Sequence, residues 1–204
     1  MFFLHGTAHA KYLDRSEFFI TGNPRLENLK QIPLPEKPVV MINANFTYGI
    51  YENWRERWIN DVVSACNSVG IDYFISKHPR DKGDYSKYNV IDSNAFKIEE
   101  QIEKASVVIT RFSQIVFEAL LQGRIVIYYN PHNERKKSLT EGKYEEILYC
   151  EDKYELEKNI KKALATPNEG KENIEKFLKL HCGARSIDNS LIAVYAINFI
   201  LSRL

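Results

Sequence analysis

Residues 107–129, Val-Val-Ile-Thr-Arg-Phe-Ser-Gln-Ile-Val-Phe-Glu-Ala-Leu-Leu-Gln-Gly-Arg-Ile-Val-Ile-Tyr-Tyr, decide the fold. Val107 to Thr110 is a short, mostly β-branched run of the kind that forms a buried strand. Ile115 to Leu121 reads as a helix, Gly123 as punctuation, and Ile125 to Tyr129 as a second strand. Strand, helix and strand in so short a stretch point to parallel pairing, because parallel neighbours need a crossover and the crossover is usually a helix.

Working outward, the same alternation recurs. Upstream, the stretch Gln31 to Pro38 holds Pro33, Pro35 and Pro38, marks a boundary, and is followed by the apolar strand Val39 to Ile42. Trp54, Trp58, Val62, Ala65 and Val69 then recur at helical spacing and stop at Gly70, a glycine helix terminator. Tyr73 to Ser76 follows as a strand and Ile98 to Ala105 as a helix. Downstream, Ile147 to Cys150 reads as a last strand, with helices over Tyr154–Ala165, Ile174–Leu180 and Ser186–Leu204. The sum is an α/β protein with a doubly wound, Rossmann-like parallel sheet.

Bulk composition narrows the function. A chain of 204 residues that is 44% hydrophobic can bury one main core with a small appendage. Twenty-eight basic against 27 acidic residues leave a formal charge of +1, so no global field would hold the chain on nucleic acid or an anionic membrane. Any bound anion must be gripped locally. Cys66, Cys150 and Cys182 lie far apart without metal-type spacing, so no metal site is expected and a reducing cytoplasm fits. The apolar start Met1–Leu4 is too short for a signal peptide, and Leu191–Leu201 falls below the ~20 residues that span a bilayer, so a soluble protein is expected.

Ligands of open α/β sheets bind outside the carboxyl ends of the strands. That rule selects four loops: Asn43–Gly49, Lys77–Arg80, Arg111–Ser113 and Asn130–Glu134. Lys77, His78, Pro79 and Arg80 put two cations and an imidazole at a strand end, which suits a pyrophosphate. A solvated basic turn is the other reading of those four residues. Ser113 can cap the following helix and Glu118, further in, can reach a ribose hydroxyl; alternatively the serine only caps and the glutamate only meets a lysine. Asn43, Asn45 and Thr47 form a polar loop without the glycines of a dinucleotide fingerprint or a P-loop. His132, Asn133 and Glu134, followed by Arg135, Lys136 and Lys137, could close over a ligand, although polar loops with such charge runs are usually only solvated. No nucleophile elbow or ordered Ser, Asp, His series supports hydrolysis.

With those residues in view, the chain resembles the CDP-glycerol glycerophosphotransferase family of teichoic-acid and capsule enzymes. The resemblance rests on His5-Gly6-Thr7, Gly22-Asn23-Pro24-Arg25, Lys77-His78-Pro79, the stretch Ile109–Pro131, and Gly183-Ala184-Arg185-Ser186. Ile109–Pro131 is also similar to the uridine-diphosphate-binding part of sugar-nucleotide 2-epimerases. The chain departs from the family in carrying Arg111 and Phe112 where an aspartate usually precedes the strand-end serine.

The resemblance implies the C-terminal, donor-binding domain of a B-type glycosyltransferase over residues 37–204. Residues 1–36 would be a remnant of the N-terminal domain and its linker, because a full acceptor-binding domain needs on the order of 100 residues or more. It further implies His5 as catalytic base, His78 as donor-phosphate ligand, and Ser113 and Glu118 as nucleotide contacts; the strand-end loops add Asn45, Lys77, Arg80 and Arg111 as donor-nucleotide candidates. The substrate would be a CDP- or UDP-activated sugar or polyol phosphate, with no cofactor or metal. The acceptor would be a polymer or a lipid-linked molecule, and the location cytoplasmic or peripheral at the inner face of the membrane. Such a chain would need its missing N-terminal domain or a partner chain for activity. Two other readings stay open: a UDP-sugar 2-epimerase-like enzyme, and a non-catalytic Rossmann-like interaction module.

Overall fold

A computed structural model describes residues 2–4, 6–7, 10, 18–92, 97–134, 147–167, 171–183 and 188–203. The chain forms two compact units, one of Gln31–Lys136 with Ile147–Glu169, the other built mainly from Met1–Lys30 and Gly170–Leu204.

The larger unit is the predicted sheet. Its strands are β3 (Val39–Ala44), β4 (Asp72–Lys77), β5 (Val90–Asp92), β6 (Val107–Thr110), β7 (Ile125–Tyr129) and β8 (Ile147–Cys150). They lie in the order β5-β4-β3-β6-β7-β8 and all pair in parallel. The chain thus winds outward from β3 to one edge, then returns past β3 and winds to the other edge, which is the Rossmann order with its switch point between β3 and β6. Helices α1 (Arg55–Val69), α2 (Ile98–Glu103) and α3 (Ile115–Leu121) lie in the β3–β4, β5–β6 and β6–β7 crossovers, and α4 (Lys153–Ala165) follows β8.

Alternation along the strands sorts the core. Val40, Ile42, Ile75, Val107, Ile109, Ile127 and Tyr129 pack in one cluster with Trp58, Val62 and Ala65 of α1 and Leu156 and Ile160 of α4. Their strand neighbours Met41, Val108 and Val126 are equally buried and face the opposite way, as a side-chain period of two requires. Every residue of α3 is buried, so this helix is packed all round rather than amphipathic. Trp58 Nε1 donates to the Tyr129 carbonyl at 3.0 Å, joining α1 to β7. Gly70, at φ 73°, ends α1 with its N–H on the Asn67 and Cys66 carbonyls.

The proline-rich boundary is fixed by a residue that periodicity alone passes over. Arg124 is 1% exposed and donates to the carbonyls of Ile32 and Pro33 and to those of Ile102 and Glu103. One guanidinium thereby fastens the entry of the sheet unit to the end of α2.

The second unit joins a two-stranded parallel sheet, β1 (Phe2–Leu4) and β2 (Phe18–Ile20), to helices α5 (Lys171–Cys182) and α6 (Asn189–Leu201). The sequence assigned these closing helices to the sheet domain; the structure groups them with the N-terminal segment. The bonds that do this are Asn23 N–H to the Cys182 carbonyl at 2.9 Å and Glu27 to the N–H and hydroxyl of Ser190. Among the described residues no helix is long and apolar enough to cross a membrane.

Candidate functional site

The carboxyl ends of β3, β4, β6 and β7 carry the four loops that the sequence singled out. At the switch point, Asn43 Nδ2 donates to Thr110 Oγ1 at 2.8 Å, so β3 and β6 are cross-linked by side chains near their carboxyl ends. The loop leaving β3 turns sharply: Tyr48, Gly49 and Tyr51 have φ of 62°, 74° and 55°. Glu52 braces the turn by accepting from the Gly49 N–H at 2.9 Å.

After β4, the Lys77–Arg80 loop is built as a presented turn. His78 N–H donates to the Ala44 carbonyl at 3.2 Å, which ties the loop back to the end of β3. His78 Nδ1 accepts from the Arg80 backbone N–H at 3.1 Å. In the neutral ring the proton therefore sits on Nε2, leaving that edge as a donor. Partial burial, followed by the Arg80 charge, holds the His78 pKa below its ordinary 6.5, with Asp81 opposing. Lys77 Nζ donates to the Gly83 carbonyl at 3.0 Å and lies 5.1 Å from the centre of the Tyr85 ring. Arg80 is exposed, and its guanidinium meets the Tyr48 hydroxyl across the mouth of the two loops.

Under this turn lies Asp81, whose side chain is fully buried. It accepts from the Tyr85 hydroxyl at 2.7 Å and the Gly83 N–H at 2.8 Å, and pairs with Arg55 Nε at 3.0 Å. Its own N–H donates to the His78 carbonyl at 2.9 Å. Lys77, His78, Pro79, Asp81, Gly83 and Tyr85 line one cleft beside the sheet edge.

The loops after β6 and β7 are closed rather than open. Arg111 is 3% exposed: Nη2 and Nε grip Glu134 at 2.6 and 3.3 Å, and Nη1 donates to the Asn45 carbonyl at 2.6 Å. Phe46 and Tyr51 stack near the same guanidinium at 5.2 and 5.3 Å. Asn130 clasps Glu134 by accepting from its N–H at 2.7 Å and donating to its carbonyl at 3.0 Å. His132 Nε2 lies 3.4 Å from the Glu134 carboxylate, with its ring 4.5 Å from that of Tyr51. The expectation of a solvated loop is thus corrected at His132 and Glu134, which are 8% and 3% exposed, whereas Asn133 is exposed and Arg135, Lys136 and Lys137 lie outside the described residues. The reason is the arginine at 111, which draws the carboxylate inward.

The expected nucleotide contacts therefore separate. Lys77, His78 and Arg80 come together at one strand end. Arg111 ties loops to one another, and Asn45, half-buried, contributes its backbone carbonyl to that tie. Ser113 Oγ accepts from the Ile115 N–H at 3.4 Å, just ahead of α3. Glu118 is 3% exposed within α3. His5 lies outside the described residues, as do His9, Ala184, Arg185 and Ser186. Tyr48, Asp81 and Tyr85 were missed in the sequence, where they carry no motif; the left-handed turn and the buried carboxylate appear only in three dimensions.

No family model matches the chain, and no curated protein sequence matches it. Solved structures share its fold. A variant of the wall teichoic acid polymerase TagF soaked with CDPG aligns at 17% identity with a TM-score of 0.58, covering 98% of this chain and 57% of the polymerase. The UDP-GlcNAc 2-epimerase of Methanocaldococcus jannaschii, in complex with UDP-GlcNAc and UDP, aligns at 11% identity with a TM-score of 0.54, covering 83% of this chain and 56% of the epimerase. The chain thus spans less than two thirds of the length of either. At these identities the likeness is one of fold, and the fold is the Rossmann-like one expected of a B-type glycosyltransferase domain.

Proposed function

We propose that the sheet unit binds the diphosphate of a CDP- or UDP-activated donor at the carboxyl ends of β3 and β4. It would serve as the donor-binding part of a glycosyl- or glycerophosphotransferase in cell-surface polysaccharide or teichoic-acid-like polymer synthesis. The observation that carries the reading is the turn at His78. Its imidazole is tied through Nδ1, which leaves Nε2 as a hydrogen donor, and it stands between Lys77 and Arg80 at the end of β4, beside the switch point of the sheet. Fold likeness to a polymerase soaked with CDPG and to an epimerase holding UDP supports a nucleotide ligand.

In transfer, an acceptor hydroxyl attacks the donor and the bond to the departing nucleotide phosphate breaks, so negative charge grows on that phosphate. A histidine donor and two cations stabilise the charge where it develops. The hydroxyl proton goes to a general base, a role His5 is proposed to fill when an acceptor, polymeric or lipid-linked, is brought within hydrogen-bond reach. Asn45, Ser113, Arg111 and Glu118 enter this proposal more weakly, as the surroundings of the nucleotide, since the latter two are buried and Arg111 is already engaged.

Calorimetry with CDP, UDP and their glycerol or sugar conjugates tests the reading, with binding expected and weakened by His78→Ala. No heat from any of them at millimolar concentration overturns it and leaves a non-catalytic interaction module. A second reading, an epimerase acting on a UDP-sugar, is favoured by the epimerase likeness alone. Conversion of UDP-N-acetylglucosamine without any acceptor would establish it in place of transfer.

A further inference from the structure

We infer that Tyr48 is a positioning residue of the anion site, setting the Arg80 guanidinium over the mouth of the His78 turn before any ligand arrives. This inference rests on the diphosphate-binding reading above and adds to it a residue that none of the motifs behind the resemblance contains.

The first ground is backbone conformation. Tyr48 has φ 62°, a left-handed conformation that glycine or asparagine adopts with little strain and that a bulky side chain adopts only at a cost. Such outliers persist where the surroundings over-determine them, and they cluster at functional sites. The same loop contains a comparison. Tyr51, at φ 55°, has its strain offset by packing, because its ring lies against His132 at 4.5 Å and near Arg111 at 5.3 Å. Tyr48 has no such return. It is 67% exposed, so burial gives the fold little reason to keep a tyrosine there.

The second ground is what Tyr48 does touch. Its hydroxyl meets Arg80 Nη1, and the Arg80 guanidinium lies 5.5 Å from the centre of its ring. The contact crosses from the loop after β3 to the loop after β4, two strands that are neighbours in the sheet. Exposed pairs of this kind add little to stability, whereas holding a long arginine in one rotamer beforehand removes an ordering cost from ligand binding. The arginine held in this way is the one whose backbone N–H fixes the His78 ring. A diphosphate drawn to His78 Nε2 then finds the second donor group in place beside it.

The test uses the full chain, with inorganic pyrophosphate, CDP and UDP as titrants, and four variants: Tyr48→Gly, Tyr48→Phe, Arg80→Ala, and Tyr48→Gly combined with Arg80→Ala. Tyr48→Gly is expected to melt at the wild-type temperature or above it, because glycine relieves the backbone. Its affinity for pyrophosphate should fall about fivefold, the range for one rotamer-rich side chain that the ligand must now order itself. Tyr48→Phe, which keeps the ring and loses the hydroxyl, should fall between the two. In the Arg80→Ala background, Tyr48→Gly should cause no further loss, since it acts through the arginine. Wild-type affinity in Tyr48→Gly, or an undiminished second loss in the double variant, overturns the inference. Because pyrophosphate alone reads it out, failure of CDP and UDP to bind more tightly than pyrophosphate counts against the nucleotide reading and leaves the role of Tyr48 standing. Failure of all three ligands to bind the wild type overturns both.

Discussion

Arg111 and Glu134 meet as a two-pronged ion pair, Nη2 to Oε1 at 2.6 Å and Nε to Oε2 at 3.3 Å, with both side chains buried. The pair ends two strands at once, and through the Asn45 carbonyl it holds the loop of a third. Removing Arg111 leaves Glu134 charged and buried without the arginine's two bonds. Arg111→Ala is therefore expected to cost about 3–5 kcal/mol in urea unfolding. Truncating the exposed Lys37–Asp72 pair should leave the midpoint where it is.

The same pair gives the chain an acid limit. Burial raises the Glu134 pKa, but its bond with His132 and the Arg111 charge outweigh burial and hold it below the ordinary 4.5. A carboxylate depressed on folding contributes stability that is present above its unfolded pKa and lost as pH falls through the folded value. Wild-type unfolding free energy should accordingly fall as pH is lowered from about 5, and Glu134→Gln, already weaker at neutral pH, should show a shallower slope there. Equal slopes in the two proteins would exclude Glu134 as the titrating group.

For His78 the sign turns on whether ligand is present. Its folded pKa lies below 6.5, through burial and the neighbouring Arg80 charge, so the free protein loses this contribution to stability as pH falls below the unfolded value. A bound diphosphate reverses the balance, because an anion favours imidazolium. Pyrophosphate affinity should rise from pH 8 to pH 6 by more in the wild type than in His78→Gln, whose residual slope reports the titration of the ligand itself. Ring-proton shifts in NMR titrations, with and without pyrophosphate, should show the His78 pKa moving upward on binding.

How much of this was legible beforehand follows from range. The bounds of β6, α3, β7 and β8 agree between sequence and structure, because a buried parallel strand is written locally as an apolar run and its helix as a short crossover. The edge strand β5, Val90–Asp92, was missed because three residues carry no period. At the site, Lys77, His78 and Arg80 were legible because adjacency in sequence put them on one turn. The engagement of Arg111 was not legible, for the opposite reason. Its partner stands 23 positions away, and nothing near it in sequence shows that its charge is neutralised. Arg124 likewise reads as an ordinary post-glycine cation, although it reaches carbonyls 91 and 92 positions away.

Asp81 supports the His78 turn from beneath, with two hydrogen-bond donors and the Arg55 cation converging on a fully buried carboxylate. Asp81→Asn keeps the shape but removes the charge that faces Arg55 and turns one of the two accepting oxygens into an NH2 group. A loss of about 2–4 kcal/mol in unfolding free energy is expected, against about 1 kcal/mol for Tyr85→Phe, which deletes a single bond. If the turn is what matters for ligands, Asp81→Asn should also weaken pyrophosphate binding at temperatures where it remains folded, while Tyr85→Phe binds nearly as the wild type does.

Gly22 separates two causes that positive φ usually confounds. It has φ 72°, and a Cβ added there would lie 2.0 Å from Asn189 Oδ1 and 2.2 Å from Cγ. Asn189 is itself buried and donates to the Asn23 carbonyl at 3.4 Å, so it has little room to withdraw. Gly70 has nearly the same φ, 73°, with nothing within 4 Å of an added Cβ. Gly70→Ala should then cost only the left-handed strain, about 1 kcal/mol. Gly22→Ala should exceed that by the cost of displacing Asn189, giving about 2–4 kcal/mol in total and a correspondingly larger fall in Tm. If thermal unfolding of the two variants shows equal losses, φ alone explains Gly22; a larger loss at Gly22 assigns the glycine in Gly22-Asn23-Pro24-Arg25 to close packing against the start of α6.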